Sequence, residues 1–148
     1  MSSTNKTENY NLNQWVSTDF VMMSDFNADN AAIDEALSDK ANICSGTYTG
    51  TGTAGSANPV SLNFSFNPAI IAITGPGGKT GEAHEVCAVF IRNHTAGGYT
   101  TVKDGQAQCI ELACSWNGTG FSFYSTDSSA LEQLNAQGES YGYAALGV

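Results

Sequence analysis

Charge is what this chain has least of. Only 13% of its 148 residues are charged, about half the usual share of roughly 25%. Five basic residues stand against fourteen acidic ones, a formal net charge of −9. Nucleic-acid affinity comes from Lys and Arg neutralising phosphates. A chain with no basic run is therefore expected to bind neither nucleic acid nor an anionic membrane surface. Long apolar runs are also missing, since no stretch approaches the roughly 18 residues of a membrane span. The first ten residues are polar and lack the apolar core of a secretory leader, so the expectation is synthesis in the cytoplasm, without membrane insertion, and no exit by secretion. Glycine is absent before Gly46. The four cysteines, Cys44, Cys87, Cys109 and Cys114, have no C-x-x-C spacing and sit in apolar strand-like surroundings. They read as small buried hydrophobes, with a disulfide as the alternative.

Apolar material is sufficient for a core, at 41% hydrophobic and 10% aromatic residues. The chain changes character near residue 42. Before it, acidic residues outnumber basic ones seven to two; after it come all sixteen glycines. The expected organisation is an N-terminal segment with a helical stem over 1–42, to which the resemblance given below adds an attachment role, and a C-terminal β domain over 43–148. The stem helix is predicted over 25–40, with Ser24 or Asp25 as N-cap and acidic Asp25 and Asp29 in the first turns, where the helix dipole favours negative charge. Met23, Phe26, Asn30, Ile33 and Leu37 follow spacings of 3, 4, 3 and 4, which read as heptad core positions with Asn30 as the polar one that fixes register. A helix of roughly 15 residues is marginal alone. The expectation is self-association, a coiled coil, with packing on its own domain as the alternative.

From Gly46 onward the period becomes two. Thr47 to Thr53 reads as a strand, as does the alternation of Val60, Leu62, Phe64 and Phe66 with Ser61, Asn63, Ser65 and Asn67. Ala69 to Thr74 and Val86 to Ile91 are apolar on both faces and read as central strands, and Tyr99 to Val102 as a shorter one. Asn117-Gly118 is a preferred two-residue hairpin turn. It would set Trp116 opposite Thr119, Cys114 opposite Phe121, Leu112 opposite Phe123 and Glu111 opposite Tyr124. Ser128 to Ala136 could supply a turn or two of helix. Ser140 to Leu146 closes the chain, with Tyr141, Tyr143 and Ala145 on one face. The expected fold class is mainly β, an antiparallel sandwich or jelly-roll-like domain.

The residues offer little for catalysis. Gly75-Pro76-Gly77-Gly78-Lys79-Thr80 ends like a phosphate loop, but Ile73 stands where the first glycine belongs and Pro76 removes a backbone donor; it reads as a flexible loop. His84 projects to one strand face while Glu85 and Cys87 project to the other, which does not build a zinc site, and no metal or cofactor is expected. There is no G-x-S-x-G elbow. Nothing in the sequence pairs Asp104, Glu111 or Asp127, so no catalytic residue is assigned. Tyr48, Tyr99, Trp116 and Tyr124, set among Gly, Asn and Thr, are the candidate binding aromatics, suited to stacking on sugar rings or protein patches, with core packing as the alternative for each.

Asn11-Leu12-Asn13-Gln14-Trp15, Thr18-Asp19, Asp25-Phe26-Asn27-Ala28-Asp29-Asn30 and Ile33-Asp34-Glu35-Ala36-Leu37 follow one another in that order. This segment resembles the N-terminal part of tail-fibre and related structural proteins of phages and prophages infecting Firmicutes. Gly46-Thr-Tyr-Thr-Gly-Thr-Gly, Phe66-Asn-Pro-Ala-Ile-Ile, Trp116-Asn-Gly-Thr-Gly-Phe and the closing Leu134-Asn-Ala-Gln-Gly-Glu-Ser-Tyr-Gly-Tyr are similar, more loosely, to small β domains that end such fibres. The resemblance implies a homotrimeric virion protein on a tail or capsid surface, assembled in the host cytoplasm. Trp15, Asp25, Phe26, Asn27, Asp29, Asn30, Ile33 and Asp34 would carry docking and trimer contacts, with Leu37 on the same stem. Other virion or tail proteins would be partners at one end, and a bacterial surface glycan or protein at the other. Fibres of this kind have a long shaft, which is lacking here. The implied form is therefore a short fibre or spike that binds the host surface, the alternative being a decoration protein without receptor binding.

Overall fold

The computed structural model describes residues 3–38, 40–79 and 81–147. It divides into two compact units, 1–40 and 41–148. In the first unit, β1 (Asn5–Lys6) and β2 (Asn13–Gln14) form a two-stranded ladder ahead of the helix α1 (Met23–Ser38). The helix begins two residues before the expected start. The amides of Asp25 and Phe26 both donate to the Met22 carbonyl, so Met22 opens the first turn, and Ser24 and Asp25 lie inside it rather than capping it. Asp39, in the expected last turn, lies outside the described residues. Sixteen residues give little more than two heptads, short of the three or four a coiled coil sustains. The coiled-coil expectation is corrected accordingly.

The second unit carries eight strands: β3 (Asn42–Thr49), β4 (Val60–Asn63), β5 (Pro68–Gly77), β6 (His84–Ile91), β7 (Ala96–Lys103), β8 (Gln106–Asn117), β9 (Gly120–Ser125) and β10 (Ser140–Gly147). The chain is thus mainly β. Where a two-sheet sandwich or jelly roll was expected, all eight strands join one antiparallel sheet in the order β3-β10-β5-β6-β7-β8-β9-β4. The sheet curls until its two edges face each other across a hollow of ≈ 210 Å³ lined by Tyr48 and Thr49 of β3 and Val60 and Ser61 of β4. Curling suits a sheet with a single apolar face, since it buries that face against itself.

Alternation supplies the inner face. Ile71 and Ile73 of β5, Phe90 of β6, Leu112 of β8, Phe121 and Phe123 of β9 and Tyr141 of β10 are all essentially inaccessible. Phe90 stacks edge-on against Phe121 at 4.9 Å and lies 5.1 Å from Phe123. Strands β5 and β6, expected to be buried on both faces, are buried on one: Ile70, Val89 and Ile91 are exposed. Cysteine follows the same division. Only Cys114 is buried, Cys44 is half-buried, and Cys87 and Cys109 are exposed; all four are free thiols.

The β8–β9 hairpin keeps the expected faces in a different register. Asn117 pairs with Gly120, Trp116 with Phe121, Cys114 with Phe123 and Leu112 with Ser125. The turn residues are therefore Gly118 and Thr119. Gly118 has φ 57° and Thr119 is not in the positive-φ region, the pattern of a type II′ turn with glycine first rather than type I′. The slip is two residues, so every side chain stays on its face. Gly75, Pro76 and Gly77 extend β5 instead of forming a loop; Thr80 lies outside the described residues.

Segment 126–139 folds as hydrogen-bonded turns, without the expected helix, and Leu134 takes φ 56°. It buries Glu132, Gln133, Leu134 and Asn135. The Gln133 side chain accepts the amides of Gly55 (2.8 Å) and Ser125 (3.0 Å) and donates to the Asn58 carbonyl (2.8 Å). Asn135 accepts the Thr51 amide and donates to the Thr53 carbonyl, both at 2.9 Å. These bonds satisfy the backbone of loop 50–59 where no strand partner exists.

Candidate functional site

The stem residues sit on one small unit, and the structure separates those used internally from those left open. Asp29 is used internally: its carboxylate accepts the Asn13 amide at 3.0 Å and the Asn13 side-chain amide at 2.8 Å, and the same side chain reaches the Asp25 carbonyl at 3.2 Å. The Asp-Phe-Asn-Ala-Asp spacing thus places two groups of the first helical turns against β2. Trp15, next along from β2, is half-buried. One Asp25 side-chain oxygen is buried with no hydrogen-bond partner. Asp19, which sequence reasoning left unassigned, accepts the Thr4 hydroxyl and the amides of Thr4 and Val16. Those bonds, the Thr4 hydroxyl first, hold its carboxyl below the usual aspartate value.

Phe26, Ile33 and Leu37 remain exposed, as do Asn27, Asn30 and Asp34. No residue of α1 is buried. Ile33 and Leu37, with Ala36, Tyr10 and Lys40, enclose an apolar hollow of ≈ 110 Å³. Lys40 donates to the Tyr10 hydroxyl at 3.1 Å and lies over its ring.

The four candidate aromatics do not converge. Tyr48 faces inward, stacks on Tyr141 at 5.1 Å and donates to the Leu134 carbonyl at 2.7 Å. Tyr99 is buried, donates to the Glu132 carbonyl at 2.9 Å and accepts the Gly78 amide. Burial raises the pKa of both phenols. Trp116 packs on Phe121 at 4.5 Å, lies under the Arg92 guanidinium at 5.1 Å and donates its indole N–H to the His94 carbonyl. These three are structural aromatics. Tyr124 alone stands on the outer face, between buried Phe123 and Ser125 and paired with Ala113.

Beside Tyr124 lies a surface that the aromatic composition did not reveal. Ser61 pairs with Ser122 and Ser122 with Ser115, while Asn63 pairs with Gly120 and Gly120 with Asn117. These residues line an outward hollow of ≈ 170 Å³. It offers hydroxyls and carboxamides, donors and acceptors without charge, over a floor opened by the missing side chain of Gly120. Its traces in the sequence were the polar half of the Val60–Asn67 alternation and the hairpin's outer face, on which Ser115 and Ser122 fall.

Charged groups are tied elsewhere. Lys79 bridges Asp127 and Glu132 at 3.0 Å each, and these bonds, Asp127 first, raise its pKa. His84 contacts the Val102 carbonyl at 3.0 Å. Among the described residues no three His, Cys, Asp or Glu come together as a metal site would need, and no helix is long and apolar enough to cross a membrane. Compared with protein-family models, curated proteins and solved structures, the chain matches none.

Proposed function

We propose that the protein is a structural component of a phage or phage-tail-like particle, a short fibre or spike that attaches through its N-terminal unit and binds the host surface through its β domain. The observation that carries this reading is a helix with no buried residue: Met23, Phe26, Ile33 and Leu37 stand exposed on a compact unit of their own. A short helix in water needs its apolar stripe covered, and a particle protein would cover it by docking. The neutral Ser/Asn hollow beside Tyr124 suits a glycan, whose hydroxyls pair with uncharged donors and acceptors and whose ring faces stack on an aromatic. The active form is self-associated on the virion, without catalysis, metal or cofactor.

Binding of the purified chain to cell envelopes from Firmicutes strains is the test. The expected result is saturable binding, reduced on the order of tenfold by Tyr124→Ala together with Ser122→Ala, consistent with roughly 1.4 kcal/mol per decade. Absence of binding at micromolar concentration would remove the receptor role. The second reading, a decoration protein stabilising a capsid or tail, is favoured by the aliphatic side chains exposed on β5 and β6, which suit neighbouring subunits better than a soluble receptor.

A further inference from the structure

The outward side of the sheet has two characters. Across β4, β9 and β8 it is polar, as an antiparallel sheet face in water ordinarily is. Across β3, β10, β5 and β6 it turns apolar at one end, while Ser45, Thr47, Thr74 and Glu85 keep the other end polar. Ile43 lies opposite Leu146, Leu146 opposite Ile70, and Ile70 opposite Ile91. This single row of aliphatic side chains is four strands wide, 75%, 38%, 40% and 50% exposed in that order. The neighbouring row continues it with Ala144, Ala72 and Val89 in register. None of these seven side chains carries a charge or a hydrogen-bonding group. Together they leave on the order of 500 Å² of contiguous apolar surface, toward the top of what a monomer keeps uncovered.

We propose that this face is covered by a second copy of the same chain, sheet against sheet. Three observations select that occupant. At a net charge of −9, two copies repel one another over most of their surface, and this patch, with Glu85 and Glu111 only at its margin, lets them meet through uncharged side chains. Two such patches bury on the order of 1,000 Å², the threshold for a specific interface. The patch also runs to the sheet edge at β3, whose eight residues Asn42–Thr49 include no charge and no proline, the common devices that keep an edge strand from pairing. Ile43, the most exposed residue of the row, stands on that edge. A neutral apolar face with an unguarded edge is complementary to itself. Because α1 is too short for a coiled coil, the subunit contact belongs to the β domain.

The inference rests on the self-association in the function proposed above, and not on host binding, so the two fail separately. Sedimentation equilibrium of the full chain, and of Ile43→Lys, Ile70→Asp and the exposed control Gln106→Asp, decides it. The wild-type chain and Gln106→Asp are expected at twice the 15.5 kDa chain mass, since a self-complementary face closes with two copies. Ile43→Lys and Ile70→Asp are expected at the single-chain mass with the wild-type β circular-dichroism spectrum, their association at least tenfold weaker. Ile43 is already three-quarters exposed, so its replacement leaves the fold intact even if Ile70→Asp does not. A wild-type monomer would overturn the inference. So would an Ile43→Lys chain that keeps the wild-type mass. Envelope binding, measured on the same samples, reports the receptor role independently.

Discussion

The side chain of Gln133 is fully buried and makes three hydrogen bonds to backbone groups, two in loop 50–59 and one at the end of β9. In Gln133→Leu, two amides and a carbonyl lose their partner inside the domain. A buried polar group left unmade costs about 1–3 kcal/mol, so the substitution should lower stability in urea by about 3 kcal/mol or more. A change within experimental error would mean that segment 126–139 does not close the domain. The sequence gives no hint of this role, because Leu-Glu-Gln-Leu-Asn reads as an exposed helical turn until Leu134 takes its positive φ. Tyr99 and Trp116 take the core-packing alternative: their neighbours in sequence are polar, and their hydroxyl and indole N–H find partners at Glu132 and His94.

Among the elements, α1 was the most legible in sequence and is the least secured by packing. Its period and length follow from Phe26, Ile33 and Leu37, yet it buries none of its residues. Backbone amides in such an element open without disturbing a core. Those of α1 should exchange with solvent on the order of a hundredfold faster than those of β5, β6 and β8, measured by hydrogen exchange at neutral pH. Equal protection would show that the helix is covered in solution. The β8–β9 hairpin offers a complementary lesson. Alternation of Leu112, Cys114, Phe121 and Phe123 assigned the inner face, but alternation is blind to a slip of two. The turn residue that accepts positive φ, Gly118, settled the pairing by taking the first turn position.

At the scale of the molecule, the buried phenols limit the pH range of the β domain. Burial is the first cause of the raised pKa of Tyr48, Tyr99 and Tyr141, each from an ordinary value of 10.0. Above that value the unfolded chain releases phenol protons that the folded domain retains, so the unfolded state binds fewer protons and stability falls as pH rises. Below it, the contribution is fully present. Urea midpoints should hold level to about pH 9 and fall between about pH 10 and pH 12, with tyrosinate absorbance from three of the six tyrosines appearing only on unfolding. Three early-titrating phenols from those positions would contradict the inward placement.

What the sequence determined by itself is the class of each segment. Scarce charge, period two after Gly46 and period 3.6 before it are local properties, set by which side chains can share a face. A β-rich domain behind a short helix follows from them. Tertiary structure decided how the strands close and which faces stay open. One curled sheet or two stacked sheets satisfy the same alternation. Only pairing β3 with β10 and β4 with β9 gave one sheet, with Ile43, Leu146, Ile70 and Ile91 aligned on its outside. Alternation states that a side chain has a face; long-range register states what lies beside it, and that neighbour makes four isolated aliphatic residues a surface.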